Sequence, residues 1–203
     1  MFQFGKLRNH FTRQKFCYLL ILILFIFGFF IGGFYANLSQ PQDFSEALST
    51  AEQFISSSKN ANLNFKLLFS EEITPYLLIL LSSLCIFGLP IMVFFIFKTG
   101  FSSGFFLAFL IKGFGLKGFF LGGLFLFVQV LFLLPALLII SARCWYTHQF
   151  LLCAITHRLS PKQSLKNELL LLSASFLLGC ILVLLGVTIK AFLLPHICNY
   201  LFL

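Results

Sequence analysis

The residues whose types could do chemistry lie in one stretch, Gly100-Phe101-Ser102-Ser103-Gly104. It matches the G-x-S-x-G pattern of a serine nucleophile, which works only on a strand-to-helix turn with a histidine and an acid in reach. Here the pattern sits in an apolar, helix-like run. The four histidines, His10, His148, His157 and His196, all fall outside the apolar cores. Gly100 and Gly104 also have the small-xxx-small spacing that lets membrane helices approach closely, as do Gly118 and Gly122. We read these glycines as packing positions and expect neither a catalytic residue nor an enzyme. No H-E-x-x-H or P-loop is present, and no Asp or Glu lies inside an apolar run, where pumps and intramembrane proteases place such groups. Gln129 is the one strongly polar uncharged side chain deep in apolar sequence. An interhelical hydrogen bond and the lining of a small cavity are both open to it. Lys98, Lys112, Lys117 and Lys190 stand near the ends of apolar runs, where a long stem lets the charge reach the head groups.

Metal and disulfide chemistry find no support. The six cysteines (Cys17, Cys85, Cys144, Cys153, Cys180, Cys198) form no CxxC pair, and none falls in the polar stretch 37–75. The histidines are scattered without ligand spacing. We expect no metal and no cofactor. With 60% hydrophobic residues, 10% charged and 31 phenylalanines in 203 residues, a soluble fold would have nowhere to bury its side chains. The apolar runs are long enough to cross a bilayer. The excess of 14 Lys and Arg over 6 Asp and Glu gathers at the ends of those runs, so its partners are lipid head groups rather than nucleic acid.

These elements must position the residues above. Residues 1–16 carry Lys6, Arg8, Arg13 and Lys15 and no acid, which keeps the N-terminus cytoplasmic. The apolar run 17–36 is too long for a signal-peptide core and reads as an uncleaved first helix. Its Gly28 and Gly32 form a GxxxG pair, for which helix packing and the commonness of glycine are equal explanations. Residues 37–75 form an acidic external loop. Inside it Phe44, Ala47, Leu48, Ala51 and Ile55 recur at helical spacing, which predicts an amphipathic helix on the outer leaflet or the bundle. Phe44, Leu48, Phe54 and Ile55 are its candidate partner surface, and Ser56 to Asn64 reads as a turn.

A second crossing is expected over 76–97, with Gly88 and Pro90 near its middle and a kink at the proline. Lys98-Thr99-Gly100 would be a tight cytoplasmic turn into a short third segment, 100–116, which either crosses or re-enters as a half-helix. A fourth crossing, 118–142, would be kinked at Pro135. A basic loop, 143–168, and a fifth crossing, 169–194, with Ser175 and Gly179 at packing spacing, complete the chain. Crossing by the third segment puts the basic loop on the cytoplasmic side and the C-terminus outside. The expected architecture is therefore all-α: a single polytopic membrane domain of five transmembrane helices plus an external amphipathic helix.

These residues resemble the stage II sporulation protein M family of bacterial inner-membrane proteins. The likeness rests on Gly28 and Gly32, on Gly88-Leu89-Pro90, Lys98-Thr99-Gly100-Phe101, Gly104 and Gly115-Leu116-Lys117-Gly118, and then on Gln129 and Pro135-Ala136-Leu137. Val128 and Val130 replace the proline and asparagine that often flank the family's glutamine. Ser70-Glu71-Glu72 stands where the family often has histidine or asparagine. The resemblance implies a non-catalytic inner-membrane scaffold that anchors a peptidoglycan amidase and a lytic transglycosylase, with a homo-oligomer left open. The competing reading is a transporter or channel for a small molecule or lipid, with a cavity near Gln129 and the broken 100–118 segment.

Overall fold

A computed structural model describes residues 3–38, 61–85, 87–155 and 162–202. They form six α-helices: α1 (Gln3–Leu38), α2 (Ala61–Ser83), α3 (Gly88–Phe114), α4 (Leu116–Val128), α5 (Leu134–Ile155) and α6 (Lys162–Phe202). One π-helical turn, Gln129–Leu133, joins α4 to α5 in a single continuous rod. The amphipathic segment with Phe44, Leu48, Phe54 and Ile55 lies outside the described residues.

Glycine dictates the main contact. A Cβ on Gly28 would stand 2.5 Å from the Phe97 carbonyl oxygen, and one on Gly32 would overlap the Phe101 carbonyl. In return, Cβ atoms on Gly100 and Gly104 would overlap the carbonyls of Phe25 and Phe29. Each helix thus lays its backbone into the glycine notch of the other. The paired numbers rise together, 25 with 100 and 29 with 104, and Lys112 reaches Ala36 O at 3.5 Å. α1 and α3 are therefore parallel.

Parallel packing forces the chain to travel back between them, and α2 makes that return. Its Glu72 meets Lys190 near the end of the bundle where α1 stops, which we call the upper end. Its C-terminus lies at the lower end, where Ser82 O and His148 Nδ1 crowd Gly88. The Gly115 turn, in the left-handed region at φ 56°, then starts the descent through α4 and α5, and a Cβ on Gly118 would overlap the Leu110 carbonyl. α6 rises alongside, with Gly179 against Ile140 and Gly186 against Phe132 and Leu133. The described residues thus make five helical passes. Four contain stretches long and apolar enough to cross a membrane: Lys15–Leu38, Gly88–Phe114, Leu116–Leu152 and Asn167–Phe192. The core joins Ile21 and Phe25 of α1 to Tyr76 and Ile79 of α2, Met92 and Ile96 of α3, Leu137 and Ile140 of α5, and Val183 and Val187 of α6.

Several expectations are corrected. The turn expected at Lys98-Thr99-Gly100 does not exist, because α3 is one 27-residue helix through it. The third segment is therefore neither short nor re-entrant. Thr99 Oγ1 donates back to Phe95 O at 2.8 Å, so its hydroxyl needs no turn, and Gly100 serves the contact with α1. The chain breaks instead around Cys85, where Gly88 N donates to Cys85 O at 3.0 Å. Pro90 is the third residue of α3, where a backbone N–H has no helical acceptor, so it opens the helix instead of kinking it. Residues 61–64, expected as a turn, are the first residues of α2. The expected loop 143–168 is largely helix, reaching Ile155 in α5 and starting again at Lys162 in α6, and α6 continues past residue 194. Pro135 meets its missing N–H with the π turn just before it, in which Leu134 N bonds to Gln129 O.

If the interlocked glycines hold the bundle, Gly104→Leu should lower stability by about 1–3 kcal/mol through overpacking. Gly123→Leu, whose added Cβ meets nothing within 4 Å, should stay within about 0.5 kcal/mol of the parent. Unfolding midpoints in mixed micelles on raising the SDS fraction compare the two.

Candidate functional site

Three groups of polar side chains are buried between these helices, at the upper end, the middle and the lower end. At the upper end Lys190, 1% exposed, pairs with Glu72 at 2.5 Å and stands 4.3 Å over the Phe125 ring. The ring face gives the ammonium a second attractive surface. This links α2, α4 and α6 at one point. The pair lies where α2 is most polar, beside Glu71 and six residues beyond Lys66, which is why α2 is the one described pass whose composition falls short of a spanning helix.

In the middle, Gln129 Nε2 donates to Ser103 Oγ at 2.5 Å, and Ser103 Oγ donates to Thr99 O at 2.7 Å. The glutamine thus reaches from the π turn to α3, and both side chains are buried. Tyr76 of α2, 1% exposed, donates its hydroxyl to Leu133 O of the same π turn at 3.0 Å. The irregular turn collects a side-chain contact from each neighbouring helix.

At the lower end Arg143 pairs with Glu168 at 2.5 Å, tying α5 to α6. Around it lie buried Ser82, Ser83, Ser141, Thr147 and His148. Thr147 Oγ1 donates to Arg143 O at 3.1 Å. Ser141 Oγ, Arg143 Nε and His148 Nδ1 are buried with no described partner. His148 lies over the break before Gly88, at the C-terminal end of α2.

The serine motif is thereby placed. Ser103 is spent on Gln129 and on its own helix, while Ser102 faces outward. His148 is level with Gly88, fifteen residues from Ser103, or about 22 Å along α3. Among the described residues, no histidine comes near the G-x-S-x-G stretch, and no group of three His, Cys, Asp or Glu side chains could hold a metal ion. The structure brings Gly28, Gly32, Gly100 and Gly104 together at one interface. Gly118 lies at the upper turn, Gly122 against Leu107, and Gly179 against α5. The Lys190–Glu72 and Arg143–Glu168 pairs were not anticipated. Their signal was present: in each pair a basic residue and an acid stand at the edges of different apolar runs.

A family model described as stage II sporulation protein M matches residues 21–195. No curated protein matches the chain, and neither does any solved structure.

Removing Lys190 alone leaves a carboxylate unpaired in an apolar setting. Lys190→Met should therefore cost about 3–5 kcal/mol, and adding Glu72→Leu should recover most of it. A double-mutant cycle of Gln129→Leu with Ser103→Ala should show a coupling of about 0.6 kcal/mol, and at most about 1.7. Both are read from micelle unfolding midpoints.

Proposed function

Since the chain belongs to the stage II sporulation protein M family, we propose that it is a non-catalytic scaffold of the bacterial inner membrane that positions envelope proteins. The observation that carries this is the use made of the buried polar groups. Lys190–Glu72, Gln129–Ser103, Tyr76–Leu133 and Arg143–Glu168 each join one helix to another, and so serve assembly of the bundle. A transporter would need Gln129 to face a polar cavity. Its amide is instead buried against Ser103.

On this reading all five passes cross the bilayer, α2 included, because α1 and α3 run parallel and α2 must return the full thickness between them. The positive-inside rule then makes the lower end cytoplasmic. Residues 1–16 and the segment around Arg158 and Lys162 lie there, and the acidic stretch 37–60 faces outward. That stretch is held at both ends by helices of the bundle, α1 and α2. Phe44, Leu48, Phe54 and Ile55 of that stretch are, on this reading, the residues offered to partners. By the family resemblance those partners are a peptidoglycan amidase or a lytic transglycosylase.

Photocrosslinking from position 54 in the native host should recover such a wall enzyme. Recovery of no envelope protein where the chain is abundant overturns the scaffold. The orientation is tested separately with a membrane-impermeant maleimide. A chain keeping Cys85 as its sole cysteine should label only after permeabilisation, whereas Cys85→Ser with Lys117→Cys in that chain should label in intact cells. The reverse pattern inverts the topology.

A further inference from the structure

We propose that the outward face of α3 around Lys98 and Ser102 is a docking site for a membrane helix of a partner protein that carries a carboxylate at mid-bilayer depth. The inference rests on the scaffold reading for the existence of a partner, and on the placement of two side chains for its site.

Depth comes from the α1 contact. Gly28 packs on Phe97 and Gly100 packs on Phe25, so Lys98 is level with residues 25–28. The apolar stretch of α1 runs Lys15–Leu38, which leaves ten residues to either side, about 15 Å each way. That is the middle of a hydrocarbon core roughly 30 Å thick. Lys98 is nonetheless exposed, and among the described residues it has no hydrogen-bond or ion-pair partner. The same is true of Ser102 one turn on. Thr99 and Ser103 donate to their own helix, but Ser102 is exposed and donates to no described carbonyl. Lys98 and Ser102 therefore present an ammonium and a hydroxyl side by side, four residues apart on one face. They are flanked by outward-facing Ile91, Phe94 and Phe106.

A lysine at the centre of a lipid-facing helix is costly to insert and marks a functional position. Its stem leans toward the helix N-terminus, here the lower end, and covers only part of the distance to the head groups. The chemistry that removes the penalty is an acceptor-only group with two oxygens, able to take both donors at once. A second copy of this chain does not supply it. Two-fold packing through this face would set Lys98 against Lys98. The chain's own described acids lie elsewhere: Glu71 and Glu72 stand at the upper end, where Glu72 pairs with Lys190, and Glu168 pairs with Arg143 at the lower. Charge complementarity thus selects an acidic residue within a partner's spanning helix, packed along Phe94 and Phe106.

The test places p-benzoylphenylalanine at position 94 of the full-length chain in native host membranes. The expected adduct joins the chain to a spanning segment of another protein that contains Asp or Glu. Lys98→Glu should reduce the adduct at least tenfold at unchanged folding, read from the micelle midpoint, and Lys98→Arg should retain it. Changing the partner's acid to lysine should restore the adduct to the Lys98→Glu chain. An adduct with lipid alone, with a second copy, or with a segment lacking an acid overturns the proposal, as does one indifferent to Lys98→Glu. If position 54 captures a wall enzyme while position 94 captures nothing, the docking site fails and the scaffold stands. If neither captures a protein, both fail.

Discussion

The parallel packing of α1 on α3 is the constraint from which the rest of the bundle follows. Gly28, Gly32, Gly100 and Gly104 bring two backbones close enough that a methyl group at any of them would collide with a carbonyl. In a bilayer, where lipid tails are as apolar as side chains, close backbone approach is one of the few sources of helix association. Two consecutive antiparallel helices could have been joined by a short turn. Two parallel ones need a third to carry the chain back. That requirement brings α2 into the bundle despite a composition that would not place it there on its own.

Once α2 is inside, its charges have to be met, and the buried polar pairs follow from this. Glu72 meets Lys190, which is itself held over Phe125, and Tyr76 finds Leu133 O on the π turn. The π turn traces in turn to Pro135, which supplies no N–H for the helix in front of it. Gln129 stands at the start of that turn and reaches Ser103 on α3, one residue from the glycine contact. Packing and polarity are thus coupled along a single chain of contacts, from α1 through α3 and the π turn to α2 and α6.

The helical class, the glycine notches and the basic lower end were legible in the sequence because each rests on residue type and short spacing. The position of the break was not. Lys-Thr-Gly is a strong turn signal in water, but inside a membrane bundle threonine bonds back to its own helix and glycine admits a neighbour's backbone. The same residues then continue the helix. The true break, around Leu84, Cys85 and Phe87, is apolar and contains neither glycine nor proline. Only Gly88 and Pro90 just beyond it mark the place, and Pro90 reads equally as a kink until its position in the helix is known. The ion pairs were hidden for a different reason. Glu72 and Lys190 are 118 residues apart, and nothing local to either one reveals that the return path of α2 brings them together.

Moving the break also changes what Lys98 is. At a cytoplasmic turn it would be an ordinary interfacial cation, held among head groups and water. Within a continuous α3, registered to the middle of α1, it becomes a charge on the apolar surface of the bundle. Three interior polar contacts of this protein join helix to helix through side chains on both sides. Glu72 has Lys190, Gln129 has Ser103, and Arg143 has Glu168. Lys98 and Ser102 are the same kind of group on a face where this chain supplies no helix. A bundle that pairs Lys190 with Glu72 and Arg143 with Glu168 inside, and leaves Lys98 facing out between those two levels, is built to be completed from outside.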